Sequence, residues 1–92
     1  MKKKDLENHW EELQYREQRV LERRFALRGK PFLTLQEVGD EFGVTKERIR
    51  QIEAKGLKRI GVGMIRDGQT KGFDEFREGI KELRKVVKEE IL

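Results

Sequence analysis

The chain has 92 residues, 43% of them charged and 35% hydrophobic, with a net charge of +4, one proline and no cysteine. This suffices for one small domain with a helical core and does not suffice for a large enclosed active site. It excludes disulfides and thiolate metal sites. No run of about 18 apolar residues offers a membrane span, and Lys2-Lys3-Lys4 leads into acidic and polar residues rather than the apolar stretch of a secretion signal.

Met1 to Lys4 reads as a frayed basic start. Asp5 is placed to cap a helix. The apolar stripe Leu6, Trp10, Leu13, Val20, Leu21 and Phe25 changes phase near Tyr15, which predicts two helices over about residues 5–13 and 15–27, or one bent helix. Trp10 reads as a core anchor. His9, the only histidine, cannot build a multi-histidine metal site, and surface or partner contact is expected of it. Leu27-Arg28-Gly29-Lys30-Pro31 is a loop in which Gly29 stops the preceding helix and Pro31 prevents its continuation.

Leu33 to Ile60 predicts two helices joined by a tight turn. Thr34 caps the first, and Glu37 completes a capping box. Leu33 and Val38 are placed as a hydrophobic staple. Gly43 suits the left-handed backbone that ends one helix and re-aims the chain, and Thr45 caps the next. In that second helix Ile49, Ile52, Gly56 and Ile60 share one side, suited to burial against Val38 and Phe42. Lys46, Glu47, Arg50, Gln51, Ala54 and Lys55 share the other side or its edge. Gly39 falls where two crossing helices approach closely. This is the spacing of a helix-turn-helix with one free polar face.

The free face has the chemistry to read base edges. Lys46 can donate to guanine, Glu47 can accept from cytosine, and Gln51 can pair twice with adenine, while Arg48, Arg50 and Lys55 can reach phosphates. Charge runs are more often solvated faces, and the helix-turn-helix spacing is what favours DNA. Between Val44 and Ile60 six basic residues (Lys46, Arg48, Arg50, Lys55, Lys58, Arg59) face two acidic ones (Glu47, Glu53), so this segment carries the whole excess charge of the chain. A polyanion contacted on one face is the partner that distribution suggests.

Gly61 to Gly72 contains four glycines and an Asp-Gly pair and reads as a linker or turn segment. It lacks the Walker pattern and a preceding strand, so nucleotide binding is not expected. Phe73, Phe76, Ile80, Leu83 and Val87 recur at spacings of three and four on a helix reaching nearly to Leu92, with Val86 and Ile91 widening the stripe. Two readings stand equal: the helix folds back onto the chain's own core, covering Trp10 and Leu6, or it presents a surface to a second copy or another protein.

VTKERIRQIEAKGLKRI, preceded by TLQEVGDEFG, resembles region 4.2 of bacterial primary-type (sigma-70 family) sigma factors, the promoter-recognition subunits of RNA polymerase. YREQRVLERRF is similar to region 4.1. The likeness covers roughly residues 13 to 60 and stops there. It implies an all-α fold: a small helical sigma region-4-like domain with a helix-turn-helix over residues 1–60. A glycine-rich linker at 61–71 and a C-terminal amphipathic helix at 72–92 complete the expected organisation. It implies that the helix after Thr45 enters the major groove of the minus-thirty-five element, with Lys46, Glu47 and Gln51 reading bases. Arg48, Arg50 and Lys55 would then hold phosphates. Arg16, Arg24 and Thr34 match family positions that contact the DNA backbone. Lys46 stands where the family usually has arginine, which weakens discrimination for guanine because lysine lacks the planar fork. Gly56 replaces the usual alanine and marks a bend or an early end to the helix.

The likeness also implies docking onto the beta-subunit flap of RNA polymerase, with Leu21, Phe25 and Val38 as candidate contacts. The partners expected are therefore double-stranded promoter DNA and RNA polymerase. A homodimer or another protein engaged through Phe73, Phe76, Ile80, Leu83 and Val87 remains a further possibility. No cofactor, metal or membrane is expected. A bacterial or phage-infected cytoplasm, at the nucleoid, is the expected compartment. No segment suits recognition of the minus-ten element, so an isolated region 4, a small stand-alone region-4 protein or a fusion with a different tail is expected. Two other functions compete: a dimeric helix-turn-helix regulator binding a palindrome, and an interaction protein that contacts the transcription machinery without reading DNA. No nucleophile with a paired base and no cofactor motif suggests an enzyme.

Overall fold

A computed structural model describes residues 1–90. Five α-helices and one 3₁₀ turn make up the fold, with no strand among the described residues: α1 (Lys3–Glu7), the 3₁₀ turn Trp10–Glu12, α2 (Tyr15–Arg24), α3 (Leu35–Phe42), α4 (Lys46–Arg66) and α5 (Phe73–Glu90). The expected break before Tyr15 is present, but the first segment divides into a short helix and a turn. Its start is not frayed: Met1 packs against the core, and Lys3 Nζ pairs with Glu90 Oε2 at 2.7 Å.

The helix-turn-helix forms as its local chemistry dictates. Thr34 Oγ1 accepts from Glu37 N at 3.1 Å while Glu37 Oε1 accepts from Thr34 N at 2.8 Å, which satisfies two donors of the first turn of α3 reciprocally. Gly43 sits at φ 69°, and Val44 N donates back to Gly39 O at 2.9 Å to close α3. Thr45 Oγ1 accepts from Arg48 N at 3.0 Å and starts α4. Val20, Val38, Ile49 and Ile52 are buried together as a small cluster with Leu33 and Leu35 packed against it. Phe42 was expected inside this seam; it is instead partly exposed, with the Arg23 guanidinium 5.0 Å from its ring centre.

The larger cluster lies on the other side of α2 and α4. It joins Leu6, Trp10, Leu13, Leu21, Phe25 and Leu27 to Leu57, Ile60 and Met64 of α4 and to Phe76, Ile80, Leu83 and Val87 of α5. The C-terminal helix therefore folds back on the chain's own core, covering Trp10 and Leu6. Leu21, Phe25 and Val38 are fully buried, Phe76, Ile80, Leu83 and Val87 are buried, and Phe73 is half-buried beside them. The partner-surface reading of the seven buried positions is corrected by that burial: their apolar area is largely spent on intramolecular packing, and only Phe73 keeps part of its ring exposed.

The expected linker at 61–71 is helical as far as Arg66. Its glycines are notches rather than joints. A Cβ on Gly61 would lie 3.0 Å from the rings of Phe73 and Phe76, and one on Gly63 would lie 2.5 Å from His9 Nδ1. Gly56 likewise neither bends nor ends α4; a Cβ there would stand 3.1 Å from Leu21 Cδ1, so its bare backbone lets α2 and α4 approach. His9 is not a surface residue but buried against the turn after α4, where Nε2 meets Gln69 Oε1 at 2.9 Å.

The end of α2 also differs from expectation. The chain leaves the helix one turn before Gly29, at Ala26, which takes the left-handed conformation at φ 51° while Leu27 N donates to Glu22 O at 2.8 Å. A Cβ is strained there and glycine is not. Ala26→Gly is expected to raise stability by about 0.5–1 kcal/mol, read as a higher urea midpoint at unchanged slope.

Candidate nucleic-acid interface

α4 is a 21-residue helix, about 31 Å long. Ile49, Ile52, Glu53, Gly56, Leu57 and Ile60 face the protein and are buried, while Lys46, Glu47, Arg50, Gln51, Ala54, Lys55 and Lys58 are exposed on the opposite side and its edge. The three expected base readers, Lys46, Glu47 and Gln51, thus lie together on the first two turns, where an inserted helix places its side chains against base edges. Lys46, Lys55 and Lys58 make no ion pair among the described residues.

Two of the expected DNA contacts meet each other. Arg50 donates to both oxygens of Glu47, at 2.6 and 2.9 Å. The hydrogen bonds and charge of Arg50 hold the Glu47 carboxyl below the ordinary carboxylate range, so at neutral pH Glu47 is ionised and can only accept. Both side chains are exposed, so the pair is cheap to open.

Arg16, Arg48 and Thr34 are placed as expected of surface contacts. Arg16 and Arg48 line one shallow concavity between the start of α2 and the start of α4, floored by Ile49 and Ile52. Thr34 is exposed at the N-terminus of α3. Arg24 is not available. Its Nε donates to Glu53 Oε1 at 3.0 Å and its Nη1 to Leu33 O at 3.0 Å, and only 12% of its side chain is exposed. Arg24 is a brace between α2, α4 and the loop before α3, and its candidacy as a phosphate contact is corrected accordingly.

Glu53 is the buried acid of this helix, and its partners lie far from it along the chain. Its buried carboxylate takes Arg24 from α2 and, at 3.1 Å, Nη1 of Arg84 from α5. Arg84 also lies 5.0 Å from the Phe25 ring centre. Three helices converge on one carboxylate, and the only local signal was a glutamate on the apolar side of a basic helix. Arg23 was missed in the same way: it binds both oxygens of Glu41 at 2.9 Å and pins α3 to α2.

A capped helix-turn-helix with a solvent-facing polar first half and flanking cations defines a helix-turn-helix DNA-binding domain. Residues 11–60 match the family described as Sigma-70, region 4. The chain belongs to that family. It is also 52% identical over 58 residues to the protein described as RNA polymerase sigma factor SigA of a Bacillus species, a match that covers 63% of this chain and 15% of that protein. The chain therefore corresponds to a small part of that relative's length. The family is one of non-enzymatic transcription factor domains, and no described helix is long and apolar enough to cross a membrane.

Proposed function

We propose that the chain binds the minus-thirty-five promoter element as a region-4 domain acting with RNA polymerase. The observation that carries this reading is the division of α4. Its apolar side is sealed into the helix-turn-helix, while Lys46, Glu47 and Gln51 are exposed together at its N-terminal end. In this reading those three face bases, and Arg50, Lys55, Arg16 and Arg48 face phosphates on either side. Phosphate contacts then set affinity and register, and base contacts set sequence choice.

Fluorescence anisotropy with a duplex carrying a TTGACA-like hexamer tests it. At low salt the chain should prefer that duplex to a scrambled one; equal affinity for both would overturn the reading. Glu47→Ala and Gln51→Ala should change base preference at single positions by about tenfold. Lys55→Ala should weaken binding to every sequence and lower the salt slope by about one.

The polymerase contact is part of the same proposal. It rests on family membership and on the relative's description as an RNA polymerase sigma factor. Because Leu21, Phe25 and Val38 are internal, the flap would have to meet other residues. Co-purification of the full chain with RNA polymerase, followed by identification of bound DNA, tests this part. A bacterial or phage-infected cytoplasm is the compartment such a role requires.

A further inference from the structure

Tyr15 is unexplained by the fold. It opens α2, it is 72% exposed, and its hydroxyl has no hydrogen-bond partner among the described residues. An exposed tyrosine is common enough by itself. This one is held in place, because the Arg19 guanidinium lies 4.8 Å from its ring centre. It also stands in a particular company. Tyr15, Arg16, Arg19, Phe42, Val44 and Arg48 line one concavity that includes three arginines and no carboxylate. Arg19 spends part of its charge on Glu22 at 2.9 Å, whereas Arg16 and Arg48 make no ion pair among the described residues. In a chain with 18 acidic residues, an acid-free basic recess beside the recognition helix marks an anion seat.

The position of the recess selects the anion. Arg48 lies one residue from Glu47 and three from Gln51, hence about 60–100° around α4 from those two side chains. The major groove is about as wide as a helix with its side chains, so an inserted helix brings each of its edges against the backbone of one strand. On the Arg48 edge the concavity is shared with Tyr15 and Arg16 at the start of α2. The half-exposed Phe42 and Val44 supply apolar surface of the kind a deoxyribose ring packs on, in the same concavity as the arginines.

We propose that Tyr15, with Arg16 and Arg48, seats the sugar–phosphate backbone of one DNA strand beside the bases read by α4, the tyrosine hydroxyl donating to a phosphate oxygen. This rests on the DNA-binding reading above. To the Arg16 and Arg48 contacts of that reading it adds an uncharged donor, the Tyr15 hydroxyl, at the start of α2. It also assigns a register-setting contact to a residue outside the helix-turn-helix.

The test is binding of the full chain to the hexamer duplex by anisotropy, with phosphate-ethylation interference on the same duplex. Tyr15→Phe should bind about 5-fold more weakly and Tyr15→Ala about 20-fold more weakly. Both should keep the preference for the hexamer over a scrambled site and the wild-type melting temperature. Ethylation of one phosphate flanking the hexamer should weaken the wild type and leave Tyr15→Phe unaffected, a signature that a purely structural role would not produce. Wild-type affinity in both variants overturns the seat while leaving the DNA reading intact. So does a change in base preference, or loss of polymerase binding with DNA binding retained. A wild-type chain that binds no duplex overturns the DNA reading and the seat together.

Discussion

Leu83→Asp is expected to destabilise the protein by about 4 kcal/mol or more and to shift the emission of its single tryptophan to the red. Leu83 is 2% exposed, in the middle of the α5 stripe, and belongs to the same buried cluster as Trp10, which is 3% exposed. Truncating a buried leucine costs about 2–5 kcal/mol, and leaving a carboxylate without a partner in the same place adds a desolvation penalty. The alternative open to the molecule is to release α5, which exposes Phe25, Ile60 and Trp10 to water. Either outcome registers in Trp10 fluorescence and in the denaturation midpoint. A variant with wild-type emission and midpoint would show that α5 does not cover this core in solution. Val86→Asp is the matched control, since Val86 is 47% exposed and should change little.

The second large effect is expected at Gly39, where Gly39→Ala should cost about 2 kcal/mol and weaken DNA binding. A Cβ there would lie 2.8 Å from Val44 O and 3.3 Å from Lys46 N. Both are backbone atoms, one of the turn and one of the first residue of α4, and they cannot move away without re-aiming α4. The better helix propensity of alanine returns up to about 1 kcal/mol, less than the cost of over-packing a rigid contact. Thermal unfolding gives the stability change. Anisotropy at a temperature where the variant remains folded shows whether the recognition helix is still correctly presented. Gly56→Ala is the informative companion, because the atoms it meets are the side chains of Leu21 and Glu17, which can yield by a few tenths of an ångström.

These glycines show what could and could not be read before the structure. Gly39 and Gly43 were legible because their causes are local. A capped helix, a two-residue turn and a second cap leave room for one close approach and one left-handed residue. The exposed polar face of α4 was legible for the same reason, since it follows from helical spacing alone. Gly61 and Gly63 were misread as a linker because the side chains that require them, Phe73, Phe76 and His9, sit far along the chain and nothing local announces the contact. Burial divided the candidate residues in the same way. Arg24 looks like any surface arginine until Glu53 and Leu33 O close on it, and Leu21, Phe25 and Val38 look equally suited to a core and to a partner. The C-terminal stripe was correctly seen as an amphipathic helix, but its destination depended on whether the first 27 residues offered it a matching face.

The continuity of α4 has a consequence for how the molecule comes apart. Its first half belongs to the small cluster around Val38 and its second half to the large one around Phe25. No flexible joint separates the two. Amide hydrogen exchange should therefore find the middle of α4, near Ile52 and Leu57, opening only with global unfolding, while the turn at residues 67–72 exchanges early. Ligands that stabilise either cluster should slow exchange in both, so DNA held at one end of the helix would be felt as protection in α5 at the other.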